Sequence, residues 1–352
     1  MSDAAVSDHE GDEVSIYLRA RMGDGGCNWY LIKTNSDTSK DYKPVPPVFA
    51  REPNRRRRGA CVALGSVIHS LGGEEDPPGY VRCSPGTNLL RCNPLSDGYY
   101  IDTASPESGW KKLPHSTITP RAYPYAFTTN GKIYVLGVTS CIRSKPTLMP
   151  EVYNTLNDEE GWRVLADPKN VPGSQIGGHG VIDGGKRVVV HFRDEPHLYG
   201  YDVEADSWDI HRENIFHLDS DSGASATVDG VYYFLDDREP GVMFGIEVGT
   251  NASKMGPPKR VALAWQPKDY EWIPQPYDSI VPRTRLISVG KGRLAAVYNY
   301  ARIEAGDLHF HCSTMQMTRL TNACGETVFM ADPLCYSNVV VSGLFLEACI
   351  AV

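Results

Sequence analysis

The sequence lacks the features that would place it in a membrane, secreted or nucleic-acid-binding class. Its 352 residues contain no run of eighteen apolar positions, and the first stretch, MSDAAVSDHEGDE, is acidic and polar. A membrane span and a secretory signal both need an apolar stretch. The formal net charge of -8 argues against general binding to nucleic acid or anionic membranes. We therefore expect a soluble cytoplasmic protein, with the nucleus as the alternative location.

Signatures of catalysis and of metal binding are also missing. The nine cysteines are scattered without a CxxC pair, which is typical of reduced, mostly buried thiols. No Walker loop, GxSxG elbow or HExxH motif occurs. The stretches HFRDEPH and HFHC bring histidines close together, but neither supplies a complete ligand set. The sequence predicts no cofactor and no metal site, and it leaves enzymatic activity open.

What the sequence does contain is a recurring pattern of tyrosine, polar turn and tryptophan. It occurs in YYIDTASPESGW, VYNTLNDEEGW and YGYDVEADSW, which end at Trp110, Trp162 and Trp208. An apolar run, a turn rich in Asp, Asn, Ser and Gly, and a second run are typical of a hairpin. Because a repeated motif is architectural, we interpret Trp208 as a packing residue between repeats and the Tyr-Asp pair as turn chemistry.

Two further strands precede each hairpin. Runs such as NGKIYVLGV, GGKRVVVHF and DGVYYFLDD begin at a tight turn, and each follows a run of small or apolar residues such as PYAFTT, GGHGVID or SGASATV. The unit is therefore four strands long and recurs at a period of roughly 50 residues. Four-stranded units repeated radially form a β-propeller, whose blades bury their faces against one another.

The chain resembles the kelch-repeat family through GKIYVLGV, GYDVEADSW and PRAYPYAF, and the diglycine of that family remains as Gly72-Gly73. It looks most similar to the divergent kelch-like propellers of plants. This resemblance implies an all-β propeller. One plant group of that family, the nitrile-specifier proteins, binds iron through a Glu-xxx-Asp-xxx-His spacing. That spacing does not occur here, so we do not expect that activity.

The two ends of the chain complete the predicted ring. Residues 13–32 have the form of an outer hairpin without inner strands, and residues 337–352 have the form of an inner pair with nothing after it. We predict a six-bladed propeller over residues 13–352, with its last blade formed by N-terminal outer strands and C-terminal inner strands. Residues 307–334 must supply the outer strands of the fifth blade. Residues 1–12 are predicted to be an acidic, disordered tail.

Candidate binding residues lie just before the inner strands, at the rim of the central channel. RRRRGACV places Arg58 there, TPRAYPYAF places Arg121, and VPRTRLISV places Arg283 and Arg285. Arginines converging on a channel mouth would bind an anion, because guanidinium groups donate bidentate hydrogen bonds to carboxylate or phosphate. The alternative is that they form salt bridges between blades. The predicted pocket also includes side chains that could wall it or transfer a proton: Tyr123, Tyr125 and His179.

The run Arg55 to Arg58 has two interpretations. A cluster of four arginines could be a nuclear-import or nucleic-acid patch. In an acidic chain we favour a solvated loop between blades that contributes Arg58 to the rim.

Two functions from different classes fit these observations. The first is a protein-interaction or scaffold module that holds a protein or peptide at its channel mouth. No F-box or BTB segment fits in the first dozen residues, so a ligase-adaptor role would need a separate subunit. The second is a small-molecule-binding protein or an enzyme of plant specialised metabolism, with Arg58, Arg121 and Arg283 holding an anionic ligand and His179 as the catalytic candidate. A closed propeller is expected to be a monomer.

Overall fold

A computed structural model of the chain describes residues 14–34, 43–53, 56–75, 93–138, 149–168, 176–192, 195–213, 225–235, 242–249, 257–263, 284–302, 307–343 and 345–352. Strands make up most of this part, together with three short 3-10 helices, Pro106–Ser108, Asp158–Glu160 and Asp183–Gly185. Within these ranges no helix has the length and apolar character needed to cross a bilayer.

The strands are numbered in chain order. The first fourteen are β1 (Val14–Arg21), β2 (Cys27–Thr34), β3 (Lys43–Pro44), β4 (Arg56–Arg57), β5 (Ala60–Leu64), β6 (Val67–Leu71), β7 (Glu74–Glu75), β8 (Asn93–Pro94), β9 (Gly98–Asp102), β10 (Lys111–Lys112), β11 (Tyr123–Thr129), β12 (Lys132–Val138), β13 (Glu151–Asn154) and β14 (Trp162–Val164). The others are β15 (Ile176–Ile182), β16 (Arg187–Phe192), β17 (Leu198–Asp202), β18 (Ser207–Arg212), β19 (Ser225–Val228), β20 (Val231–Leu235), β21 (Met243–Glu247), β22 (Lys259–Arg260), β23 (Ala262–Leu263), β24 (Thr284–Ser288), β25 (Arg293–Arg302), β26 (Asp307–Thr321), β27 (Thr327–Ser342) and β28 (Phe345–Ala351).

The predicted four-strand unit is confirmed in four consecutive sheets. Their orders from the inside outwards are β5-β6-β9-β10, β11-β12-β13-β14, β15-β16-β17-β18 and β19-β20-β21-β22, with antiparallel pairing throughout. The second strand carries a run of large apolar residues in β12, β16 and β20, and all five residues of β20 are buried. A strand with neighbours on both faces buries every side chain, which explains its continuous apolar run.

Packing between the sheets produces a radial arrangement. Phe127 and Tyr134 of the second sheet share a core cluster with Val188 and Val190 of the third. The innermost strands also contact one another in succession, with β28 on β5, β5 on β11, β15 on β19, β19 on β24 and β24 on β28. This is the arrangement of a β-propeller, so the predicted fold class is confirmed. The number of six blades and the closure of the ring stay predictions.

The fifth sheet contains a long hairpin. It has the order β24-β25-β26-β27, and β23 adds a parallel strand at its outer edge. Residues 307–334 supply its outer strands, as expected from the sequence. The second strand of the hairpin continues to Ser342, however, because Val339 and Val341 pair with β26 and are buried against Ile16 and Leu18.

The last sheet joins the two ends of the chain. It has the order β2-β1-β28, so the C-terminal strand is innermost and the two N-terminal strands lie outside it. The sequence predicted two C-terminal strands in this sheet. This is wrong, because among the described residues the sheet contains only one C-terminal strand, β28. The bend at Gly343 connects β27 of the fifth sheet to β28 rather than closing a hairpin, and a Cβ at Gly343 would lie 3.1 Å from the Ala20 Cβ.

The two ends of the strands differ in their connections. One end, here called the turn face, carries tight turns such as Asn130-Gly131 and Asp229-Gly230, in which both residues have positive φ angles. Such turns match the twist of a hairpin. At the opposite end, the loop face, β6 ends at Leu71 and β9 begins at Gly98, and β12 ends at Val138 and β13 begins at Glu151. The inner strands start at the loop face, so that face forms the mouth of the central space.

Candidate functional site

A central cavity of about 950 Å³ lies between the innermost strands. Four of the six predicted site residues line it, namely Arg58, Tyr123, Tyr125 and His179. Small apolar side chains of the inner strands, such as Ala63, Ala126 and Ala226, leave room between them. The volume is typical of a site for a small organic molecule.

Arg58 and Tyr123 form a stacked pair at the mouth. The Arg58 guanidinium lies 4.7 Å from the centre of the Tyr123 ring and donates a hydrogen bond to its hydroxyl. Arg58 also approaches Glu74, at 3.5 Å, yet 42% of its side chain is exposed. A φ angle of 59° at Arg58 turns the chain here. Burial raises the pKa of Tyr123, while the charge of Arg58 opposes that shift.

Tyr125 and His179 form a second pair below the mouth. Tyr125 follows Tyr123 by two residues along β11, so both side chains lie on the same face of the strand. The Tyr125 hydroxyl lies 2.8 Å from the Nδ1 atom of His179, and Phe127 stacks on the imidazole with 5.4 Å between ring centres. Burial lowers the pKa of His179 to about 4 and raises that of Tyr125 well above its usual range. Both side chains are therefore neutral at pH 7. A base with such a low pKa is weak at neutral pH. This environment therefore favours hydrogen bonding by His179 over proton transfer.

The sequence GGHGV explains why His179 faces the cavity. Side chains alternate along β15, so His179 points to one neighbouring sheet and Gly178 and Gly180 to the other. A Cβ at Gly180 would lie 2.8 Å from the Cβ of Thr227 and closer still to its hydroxyl oxygen. The glycines thus allow β19 to approach closely on one side, while His179 fills the gap to β11 on the other.

Arg121 does not line the cavity, which corrects the predicted site. Its side chain is fully buried and pairs with the Glu151 carboxylate at 2.6 Å. It also donates to the carbonyl oxygens of Gly137 and Met149. Glu151 accepts hydrogen bonds from two backbone N–H groups of residues 118 and 119, at 2.8 and 2.9 Å. Arg121 therefore connects the end of β12 to the start of β13. This agrees with the alternative in which the arginines form salt bridges.

The third predicted arginine, Arg283, lies outside the described residues. Arg285, two positions further along, lines the cavity. The trio of Arg58, Arg121 and Arg283 is therefore not assembled at the mouth by the part of the chain that the structure describes. The cavity arginines there are Arg21, Arg58 and Arg285.

Arg56 and Arg57, in the middle of the basic run, are buried. Arg56 forms an ion pair with Asp97 at 3.0 Å and lies 4.7 Å from the centre of the Tyr99 ring. Arg57 pairs with Glu74 at 2.9 Å. The interpretation of a solvated loop is therefore wrong for these two residues, and neither can belong to an exposed basic patch. Only the contribution of Arg58 to the rim agrees with that interpretation.

Glu347 at the mouth was not identified from the sequence. Its carboxylate accepts a hydrogen bond from the backbone N–H of Arg58 at 2.7 Å and lies 3.6 Å from the buried guanidinium of Arg19. Arg19 is also paired with Glu52 at 2.9 Å. A lone charge inside the apolar run FLEACIAV is the signal that could have revealed Glu347.

The tyrosine and tryptophan pattern is structural, as predicted. Tyr201 packs on Trp208 with 4.9 Å between ring centres and donates to Asp206 at 2.9 Å. Each of the three tryptophans that end this pattern donates its indole N–H to a carbonyl oxygen in the connection that precedes its sheet. The pairs are Trp110 with Ala50 at 2.9 Å, Trp162 with His115 at 3.1 Å and Trp208 with Ala166 at 3.0 Å.

Comparison with known proteins finds similarity over part of the chain. No protein-family model matches it. An F-box/kelch-repeat protein of Arabidopsis thaliana is 33% identical over 102 residues, which are 29% of this chain and 25% of that relative. The fold of the chain is a β-propeller. The solved structure of YjhT covers 77% of this chain and 82% of its own chain, with 12% identity and a TM-score of 0.43.

The side chains of the central cavity offer several kinds of contact to a ligand. No group of three or more His, Cys, Asp or Glu side chains in that part is placed to hold a metal ion. Of the histidines in HFHC, His311 is bonded through Nδ1 to Asn338 at 2.7 Å. The central cavity instead combines cationic, aromatic and hydrogen-bonding side chains, which bind ligands through charge and shape.

Proposed function

We propose that the propeller is a protein-interaction module whose partner binds the loop face around the cavity mouth. The observation that carries this proposal is the stacked pair of Arg58 and Tyr123, which lies at the mouth with 42% of the Arg58 side chain exposed. Arginine and tyrosine are the side chains most often found at the energetic centres of interfaces. The similarity to an F-box/kelch-repeat protein supports a protein partner.

The difference between the two faces of the propeller supports this assignment. Tight glycine turns leave little variable surface on the turn face, whereas the loop face carries the cavity mouth with Arg58 and Tyr123. Binding residues are found preferentially on loops that a rigid scaffold holds in place. The exposed guanidinium of Arg58 suits an acidic or carboxylate-bearing segment of the partner.

Quantitative affinity enrichment from plant extract tests the proposal. The full chain is compared with Arg58→Ala/Tyr123→Ala and with Leu156→Ala, a control on the turn face where the leucine is 85% exposed. We expect a partner that is recovered with the full chain and the control, and reduced at least about tenfold with the double variant, as for an interface centre.

The enriched protein is then purified and titrated against the same three proteins by calorimetry. Direct binding that needs Arg58 and Tyr123 supports the proposal. Binding that is lost with Leu156→Ala and kept with the double variant would place the interface on the turn face and contradict it.

We further propose that the propeller acts as a cytoplasmic monomer. The two terminal segments pair with each other in one sheet, which leaves few strand edges for self-association. Light scattering coupled to size exclusion should give the mass of one chain, and a fluorescent fusion should be excluded from membranes. A dimer mass at micromolar concentration would contradict the monomer.

A further inference from the structure

Arginines are the main charged residues of the cavity lining. In the described part of the chain the lining contains three arginines, Arg21, Arg58 and Arg285, and one glutamate, Glu347. The glutamate is already bound by Arg19 and by a backbone N–H group, and Arg58 lies 3.5 Å from Glu74. A guanidinium that lines a cavity can bind an anionic ligand through bidentate hydrogen bonds.

Arg285 brings positive charge below the mouth. It belongs to β24, which packs between β19 and β28. Burial raises the pKa of Tyr125 on β11 and that of Cys349 on β28, and the charge of Arg285 opposes both shifts. The guanidinium therefore acts on side chains from separate sheets that line the same cavity. Arg285 also interacts with other groups of the protein.

The pair of Tyr125 and His179 supplies a directed donor at the same depth. The tyrosine hydroxyl, whose pKa is raised by burial, stays protonated, and in one tautomer of the neutral imidazole it donates its hydrogen bond to Nδ1. The remaining imidazole proton is then on Nε2. The Nε2 atom makes no hydrogen bond with any residue in the described ranges, and His179 lines the cavity.

We propose that the cavity below the mouth binds a small organic carboxylate, with Arg285 facing the carboxylate and His179 Nε2–H donating to it. Apolar side chains such as Ala126, Val181 and Ala226 would contact the body of the ligand. A guanidinium with a neutral N–H donor satisfies two carboxylate oxygens without a net proton transfer. The cavity of about 950 Å³ holds a ligand of one or two rings.

This site is independent of the proposed partner surface. Arg58 and Tyr123 lie at the mouth, whereas Tyr125, His179 and Arg285 act below it. Variants of the deeper residues leave the mouth pair unchanged. Failure of one proposal therefore does not decide the other.

Calorimetry with benzoate, 4-hydroxybenzoate and inorganic phosphate as probes tests the inference on the full chain. The variants are Arg285→Gln, which removes the charge, and His179→Phe, which removes the donor and keeps a ring against Phe127. Arg163→Gln is the matched control, because that arginine is 64% exposed on an outer strand. Unfolding temperatures of the unliganded proteins show that each variant is folded.

We expect an aromatic carboxylate to bind the full chain and the control equally. Arg285→Gln should weaken that binding at least about tenfold, and His179→Phe several-fold, as for the loss of hydrogen bonds to a charged group. Saturating carboxylate should also raise the unfolding temperature. No binding of either carboxylate at 10 mM, on the order of the weakest useful affinity, would overturn the inference. Carboxylate binding that is unaffected by Arg285→Gln, or tighter binding of phosphate, would overturn it too.

Discussion

Replacement of Arg121 by methionine separates a structural role of this arginine from a ligand-binding role. Methionine fills part of the same volume and removes the charge and all hydrogen-bond donors. Arg121 and Glu151 are both fully buried, and their pairing distance is 2.6 Å. The substitution therefore leaves a buried carboxylate without its counter-charge, and the carbonyl oxygens of Gly137 and Met149 without this donor.

The expected loss of stability is large. Breaking a buried ion pair by removing one partner costs about 3–5 kcal/mol, because the remaining charge is uncompensated. Glu151 still accepts the N–H groups of residues 118 and 119, which places Arg121→Met near the lower end of that range. Glu151→Leu should cost more, because it leaves a charged Arg121 and two N–H groups without their acceptor. In a chain of 352 residues the melting temperature should fall by about 4–7 °C.

Urea unfolding followed by tryptophan fluorescence and by circular dichroism measures the effect. Arg163→Met is the control, since Arg163 is 64% exposed and its ion pair with Asp206 is 3.5 Å long. Exposed pairs of this kind contribute less than about 1 kcal/mol. If Arg121→Met and Arg163→Met unfold at the same urea concentration, the buried pair does not stabilise the propeller and our reasoning is refuted.

Three further predictions follow from the geometry. Gly180→Ala should cost about 1–3 kcal/mol in urea unfolding, because its Cβ would overlap Thr227, whereas Gly26→Ala, whose Cβ would meet no atom closer than 3.4 Å, should not show this clash. Trp208→Phe should cost about 1–2 kcal/mol through the lost bond to the Ala166 carbonyl, and an unchanged midpoint would contradict this. The pKa of about 4 at His179 lies below that of the unfolded chain, so stability is complete above pH 6.5, near the unfolded pKa, and falls towards pH 4. At pH 5 the loss of stability from this group is about 2 kcal/mol, and His179→Gln should remove that part of the pH dependence.

Much of the fold follows from local patterns in the chain. The Asn-Gly and Asp-Gly turns, the apolar second strands and the Tyr-to-Trp hairpins each belong to a segment of a few residues, and their structures agree with the prediction. The glycines around His179 predicted a position near the channel rim with little side-chain bulk around it. His179 does line the cavity, but Tyr125 and Phe127 pack on its imidazole. The exception is the long hairpin. Its second strand, β27, includes residues 337–342, which the sequence assigned to the last blade. Val339 and Val341 in this stretch are buried against β1, and a local pattern does not reveal a partner from the opposite end of the chain.

The candidate site was harder to predict because identical residues at identical positions have different environments. Arg58 and Arg121 each lie two residues before an inner strand. Arg58 has a φ angle of 59° and reaches the mouth, while Arg121 is buried against Glu151. In the first sheet Arg56 takes the buried position and donates to Ser70 and Asp97. No local signal distinguishes these three arginines.

The sequence by itself therefore determined the repeating unit, the strand order within the units and the architectural role of Trp208. These depend on side-chain alternation and turn chemistry, which act over a few residues. Only the tertiary structure decided which charged side chains are exposed in the cavity, which are paired between strands, and that Tyr125 meets His179. Those outcomes depend on the direction of a side chain and on acceptors from distant segments, such as Glu74, Glu151 and Glu347.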